Sequence, residues 1–122
     1  MGDFGNDEKE RKMKIKELLF NEKKWTQGAL ARDKNGKAIS CLDIKYLDGG
    51  RTQIDFGKNA TSWSLPGAIS ICYDYDERDK VLEKIHSAMR GVLNKDMYIS
   101  AFNDHENTTF QDVKKVVLEA GV

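Results

Sequence analysis

The feature that most constrains the fold is an apolar stripe between residues 81 and 93. Its members are Val81, Leu82, Ile85, Ala88, Met89, Val92 and Leu93. Residues three, four and seven positions apart lie on one face of an α-helix. The pattern therefore predicts a helix that is capped by Asp76, ends near Leu93 and buries this face in a core.

A segment rich in lysine and glutamate predicts an earlier helix, from about Asp7 to Lys24. Asp7 suits the N-cap of this helix because its carboxylate can accept from free main-chain amides. The apolar stripe consists of Ile15, Leu18 and Leu19. Residues 1–7 are polar and glycine-rich, and we expect them to be disordered.

The C-terminal segment predicts another helix, from about Thr109 to Ala120. Thr108 and Gln111 have the spacing of a capping box, and Gly121 is suited to end the helix. The run from Met97 to Phe102 is apolar but short, so we expect a strand or an extended connector there.

A single proline limits the helix that the pattern of residues 60–72 suggests. Pro66 is compatible with a helix only in its first turn, with Ser64 or Leu65 near the cap. The regular part is therefore predicted to run from about Pro66 to Tyr73. Cys72 falls in an apolar run, which favours a small buried side chain over a reactive thiol.

Two segments have the pattern of β-hairpins. Asn35-Gly36 lies between two short arms, which is a strong hairpin signal. Residues 44–56 alternate around Asp48-Gly49-Gly50 and predict a second hairpin. The combined prediction is a single α+β domain over residues 1–122, mainly helical, with about four helices on one core and one or two small antiparallel β-hairpins.

Composition and charge exclude some classes of function. The 20 basic side chains equal the 20 acidic ones, which disfavours a nucleic-acid binder. No apolar run is long enough to cross a membrane. The first residues lack the basic and apolar regions of a signal peptide, so we expect a cytoplasmic protein. No metal-ligand or cofactor spacing is present, so neither a metal nor a cofactor is predicted.

Three blocks of sequence resemble a known family. They are WTQGALARD with Gly36 just after it, WSLPGAI from Trp63, and Phe102-Asn103-Asp104 followed by Thr108. Together they resemble domain of unknown function 6197, a family of small bacterial and phage proteins. The resemblance implies a small helical domain and no activity. Residues 44–58 look longer than the usual connector of this family, so the second hairpin is interpreted as an insertion.

The candidate binding residues are Trp25, Arg32, Asp33, Asn103, Asp104 and His105. The favoured interpretation of the first five is a polar network that fixes the first hairpin on the last helix. The alternative is that they line one cleft, where an indole face and a guanidinium suit a nucleotide or another small anionic ligand. The loop from Asn103 to Asn107 suits a turn, although its oxygens could also hold a cation or a general base.

The predicted function is a non-enzymatic binding protein that occupies another protein. In a phage setting this would be a host-takeover or counter-defence role, by analogy alone. The first alternative is a binder of a nucleotide-like molecule in a cleft near Trp25, Arg32 and Asn103. The second alternative is a small hydrolase or nuclease that uses Asp104 and His105.

Overall fold

The computed structural model describes residues 13–39, 43–46 and 52–122. Five α-helices lie within these residues: α1 (Ile15–Leu18), α2 (Leu65–Cys72), α3 (Tyr75–Leu93), α4 (Ile99–Asp104) and α5 (Phe110–Ala120). A 3₁₀ turn at Glu22–Lys24 follows α1. The mainly helical α+β class is confirmed. The predicted disorder of residues 1–7 and the Asp7 cap lie outside the described residues.

The strands form two small antiparallel sheets. They are β1 (Ala31–Asp33), β2 (Ala38–Ile39), β3 (Asp43–Tyr46), β4 (Thr52–Asp55) and β5 (Ala60–Trp63). One sheet has the order β2–β1–β5, and the other pairs β3 with β4. Both predicted hairpins are confirmed, although the Asp48-Gly49-Gly50 turn of the second lies outside the described residues. Strand β5 was not predicted from the sequence.

The turn of the first hairpin depends on Asp33 and Gly36. Gly36 has a φ of 81°, and its amide donates to the carbonyl of Asp33 over 2.9 Å. The carboxylate of Asp33 accepts from the amides of Asn35 and Lys37 at 2.9 and 3.0 Å. This is an Asx-type arrangement closed by one left-handed glycine.

Helix α3 carries the predicted stripe. Its buried members are Val81, Ile85, Ala88 and Met89. Val92 is exposed, contrary to the prediction. The Asp76 cap is wrong, because Asp74 is the N-cap and forms a capping box with Glu77. The end at Leu93 is confirmed, where Asn94 takes a left-handed conformation.

Helix α5 and its cap each lie one residue later than predicted. Thr109 is the N-cap, and its hydroxyl accepts from the amide of Asp112 over 3.2 Å. The predicted box of Thr108 and Gln111 is therefore wrong; Thr108 is instead buried. Gly121 ends the helix with a φ of 72°, as predicted.

The first helix is much shorter than predicted. It begins after Lys14 and ends at Leu18, whereas residues 7–12 lie outside the described part of the chain. The amide of Ile15 donates to the carbonyl of Val122 over 2.6 Å, which joins this helix to the C-terminal end of the chain. Ile15 and Leu19 are buried, so a tertiary contact sets the position of this segment and overrides its helical propensity.

Helix α2 confirms the predicted placement of Pro66 in the first turn. Ser64 is the N-cap, and its hydroxyl accepts from the amide of Gly67 over 3.0 Å. The helix ends at Cys72, one residue before the predicted Tyr73. The predicted strand or connector at 97–102 is wrong, because helix α4 lies there and buries Ile99 and Phe102 at i and i+3.

Cys72 lies in the core at 5% exposure. Burial, together with the smaller effect of the negative charge of Glu17, raises the pKa of its thiol from 9.0 to about 12. The neutral thiol is therefore favoured in the folded state. Burial of the neutral thiol stabilises the folded state fully below about pH 9, and this stabilisation is lost as the pH rises towards about 12.

We expect Cys72 to resist thiol reagents in the folded protein, because only the thiolate is a good nucleophile. A Cys41→Ser variant leaves Cys72 as the single thiol to measure. At about pH 8 its reaction with an aromatic disulfide reagent should be slow, and it should become rapid in denaturant. Fast, complete labelling of the native variant would contradict the buried position.

Candidate functional site

The polar centre of the molecule is the amide side chain of Asn103, which is fully buried on α4. Its oxygen accepts from the indole nitrogen of Trp25 at 2.7 Å and from the amide of Leu65 at 2.9 Å. Its nitrogen donates to the carbonyl of Thr26 at 3.1 Å and to Asp104 Oδ1 at 2.8 Å. Two acceptor and two donor positions exhaust the capacity of an asparagine amide.

Gln27 ties the segment after the 3₁₀ turn to the connection between α4 and α5. Its side-chain nitrogen lies 2.9 Å from the carbonyl of Asn103, 3.0 Å from that of His105 and 3.5 Å from that of Thr108. These three carbonyls come from the end of α4 and the loop that follows. We call the set Trp25, Thr26, Gln27, Leu65, Asn103 and Asp104 the Asn103 network.

The predicted pairing of Arg32 with Asn103 and Asp104 is wrong. Arg32 lies in the same region but bonds to Thr26, Gln27 and Gly36 instead. Its Nε donates to the hydroxyl of Thr26 at 2.8 Å, and one terminal nitrogen donates to the carbonyl of Gln27 at 2.9 Å. The other terminal nitrogen donates to the carbonyl of Gly36 at 3.0 Å. The guanidinium therefore holds the Trp25 segment and the first hairpin together.

Asp104 and His105 both accept hydrogen bonds at the end of α4, Asp104 from a distant segment and His105 within its own turn. Asp104 Oδ1 accepts from the amide of Gly28 at 3.0 Å, in addition to Asn103. His105 Nδ1 accepts from the amide of Asn107 at 3.0 Å, within the turn that leads to α5. Within the described ranges, no three His, Cys, Asp or Glu side chains are grouped closely enough to hold a metal ion.

The six candidate residues thus separate into three groups. Trp25, Asn103 and Asp104 lie together in the Asn103 network. Arg32 joins them through Thr26 and Gln27, whereas Asp33 and His105 each serve a local turn. The arrangement is a polar clamp between three distant parts of the chain, and its side-chain groups mostly bond to main-chain atoms.

The three blocks of sequence that carry the family resemblance meet in this clamp. The first provides Trp25 to Arg32, the second provides the amide of Leu65, and the third provides Asn103 and Asp104. Residues 13–121 match the model of the Family of unknown function (DUF6197). The chain belongs to this family. The comparisons with curated proteins and with solved structures gave no match.

A second surface feature is an apolar groove between α1 and α5, which the sequence analysis missed. Its cavity has a volume of about 90 Å³. The apolar residues that line this α1–α5 groove are Leu19, Phe20, Phe110, Val113, Val117 and Leu118. Phe20 is 61% exposed and Leu118 is 54% exposed, so two large apolar side chains stand at its edges.

The α1–α5 groove and the Asn103 network share a boundary. The ring of Trp25 lies 6.3 Å from the ring of Phe110, centroid to centroid, at a tilt of 43°. The indole nitrogen of the same Trp25 donates to Asn103. Phe110 is the first residue of α5. The network therefore positions one wall of the groove.

A larger depression of about 1030 Å³ lies between α3 and the end of α5. Both charge signs line it, including Glu83, Lys84, Arg90, Asp96 and Glu119. His86 lies there as well, half-buried beside the core-facing Ile85. This open polar surface has no concentrated charge of one sign.

In the described residues, no helix has both the length and the apolar character needed to span a bilayer.

Proposed function

We propose that this protein is a non-enzymatic binding protein that occupies a protein partner through the α1–α5 groove. The observation that carries the proposal is a small apolar cavity with two exposed, large apolar side chains, Phe20 and Leu118, at its edges. Exposed apolar groups beside a concave apolar surface are typical of a contact surface for another macromolecule.

The size of the cavity favours a protein partner over a small molecule. Sites for small organic ligands usually enclose roughly 300 to 1,000 Å³. The groove offers about 90 Å³, which is room for one side chain of a partner. An anchoring side chain in such a cavity, surrounded by looser contacts, is a common pattern in protein interfaces.

The bonds of the Asn103 network favour the same proposal over a nucleotide-like ligand. Asn103 would have to release hydrogen bonds that hold the fold before it could bind a ligand, and Arg32 already uses three of its donors within the fold. In a hydrolase that uses Asp104, one oxygen of the carboxylate would already be occupied, because Oδ1 accepts from Gly28 and Asn103. Breaking the bonds of the buried Asn103 leaves buried groups unpaired, at a cost of about 1 to 3 kcal/mol each.

The proposal places the protein in the cytoplasm, where a free thiol such as Cys72 is kept reduced. A host-takeover or counter-defence role in a phage setting is the narrowest form of this proposal. That form rests on the family resemblance alone, because a fold does not determine a function.

The experiment compares capture by the wild type with capture by a variant that carries Phe20→Ser and Leu118→Ser. Both proteins are tagged and exposed to the same lysate of the natural host. A protein partner should be retained by the wild type and lost by the double variant, because the variant removes the two apolar edges of the groove.

Tyr98→Ser is the matched control, because Tyr98 is 81% exposed and lies at the start of α4, outside the groove. The control should capture the same partner as the wild type. Equal thermal midpoints for the three proteins would show that the loss is local. A partner that both variants retain equally would reject the groove as its binding surface.

A further inference from the structure

We infer that the α1–α5 groove binds an acidic segment of a partner that carries a bulky apolar anchor. This inference rests on the proposed function and adds the chemistry of the occupant. The apolar anchor is inferred from the lining of the groove. Leu19, Val113 and Val117 form a buried floor, and Phe20 and Leu118 stand at the edges. A floor of this kind accepts an aliphatic or aromatic side chain.

The acidic character of the partner segment is inferred from the charges around the α1–α5 groove. Among the described residues, the charged ones that line the groove are Lys16 on α1 and Lys114 on α5. A third lysine lies at the edge, with Lys24 Nζ 5.7 Å from the centroid of the Phe20 ring. The whole chain has zero net charge, so a group of three cations around one apolar cavity is a local departure from the average.

Lysine suits such an edge because its methylene stem covers apolar surface while the ammonium stays in water. A carboxylate beside the anchor of the partner would meet one of these ammonium groups once the anchor is seated. Complementary charges of this type raise the rate of association and select the partner, and their effect falls as salt rises.

Two other occupants fit the groove less well. A second copy docked groove to groove about a two-fold axis would place the same lysines opposite one another, which like-charge repulsion disfavours. A bilayer offers no protruding side chain to fill a cavity of about 90 Å³. Membrane-surface helices instead present a broad apolar face with several cations. The groove is concave and its apolar edge consists of two side chains.

The test uses three synthetic peptides with a fluorescent label. The first carries one phenylalanine among glutamates. The second has the same phenylalanine among lysines, and the third keeps the glutamates but replaces the phenylalanine by serine. Fluorescence anisotropy at about 30 mM and about 300 mM salt spans the range in which screening of exposed charges becomes strong.

The acidic phenylalanine peptide should bind saturably to the wild-type protein, at least about tenfold more tightly than either of the others, and should weaken at the higher salt. A Lys16→Glu/Lys114→Glu variant should reverse the preference between the acidic and the basic peptide. Lys84→Glu/Lys95→Glu is the matched control, since Lys84 lies on α3 and Lys95 follows that helix, so neither lines the groove. It should bind as the wild type does.

The outcomes separate this inference from the proposed function. Equal or tighter binding of the basic peptide, abolished by Phe20→Ser/Leu118→Ser, would retain the groove but overturn the acidic occupant. Absence of saturable binding by the acidic peptide would overturn the inference, and lysate capture that ignores Phe20 and Leu118 would overturn the proposed function. Co-sedimentation with phosphatidylserine vesicles that the lysine reversal abolishes, without peptide binding, would replace the protein segment by a membrane.

Discussion

Replacement of Asn103 by alanine is expected to lower the free energy of unfolding by about 3 to 5 kcal/mol. The substitution removes four hydrogen bonds at a fully buried position. The indole nitrogen of Trp25, the amide of Leu65 and the carbonyl of Thr26 would lose their bonds to this side chain. Each buried group left without a partner costs about 1 to 3 kcal/mol. Urea denaturation followed by circular dichroism measures the change.

The matched control for Asn103→Ala is Asn107→Ala, four residues further along the chain. Asn107 is exposed, and the bond made by its main-chain amide survives the substitution. Its effect should stay within about 0.5 kcal/mol. Trp25→Phe tests one arm of the network alone and should cost about 1 kcal/mol, since it keeps a ring beside Phe110 but removes the bond to Asn103. Similar stabilities for Asn103→Ala and Asn107→Ala would show that the network does not hold the fold.

Much of the helical framework could be predicted because its signals are local. The stripe at Val81, Ile85 and Ala88 has helical spacing, whereas a strand would turn Ala88 to the face opposite the other two. The two hairpins were equally accessible, since the Asn35-Gly36 pair marks the turn of the first one. Each of these patterns lies within about a dozen consecutive residues.

The elements that prediction missed depend on distant parts of the chain. Strand β5 has only four residues, and it forms because Ser62 pairs with Arg32, thirty positions away. Helix α1 is short although its lysines and glutamates suit a longer helix. Helix α4 has six residues, and its apolar run is too short for periodicity to distinguish a helix from a strand.

The candidate site was partly accessible for the same reason. Trp25, Asn103 and Asp104 could be grouped through the family resemblance, and they do lie together. Gln27 was missed because its partners are main-chain carbonyls more than seventy positions away. Every residue has a main-chain carbonyl, so the amino-acid types at those positions do not indicate the contact. The groove was missed because it forms only where α1 and α5 lie side by side, which brings Phe20 and Leu118 to its edges.

The second large effect is expected at Gly67, in the first turn of α2. Alanine normally stabilises a helix relative to glycine by about 1 kcal/mol. Here a Cβ would overlap the carbonyl oxygen of Leu30, a main-chain atom that cannot rotate away. The same carbonyl accepts from the amide of Ser64 at 3.0 Å, so moving it would disturb the cap of α2. Gly67→Ala should therefore destabilise the protein by about 3 kcal/mol or more.

Gly91 provides the matched control, because it also lies in a helix but a Cβ there would meet no atom within 4 Å. Gly91→Ala should stabilise the protein by about 0.5 to 1 kcal/mol, through the smaller entropy that alanine loses on folding. The same substitution should thus have opposite signs at two helical glycines, measured by thermal and urea unfolding. If both variants were stabilised alike, Leu30 could not lie against the start of α2. The route that brings Trp25 and Gln27 to Asn103 would then be wrong as well, because Leu30 continues that segment into β1.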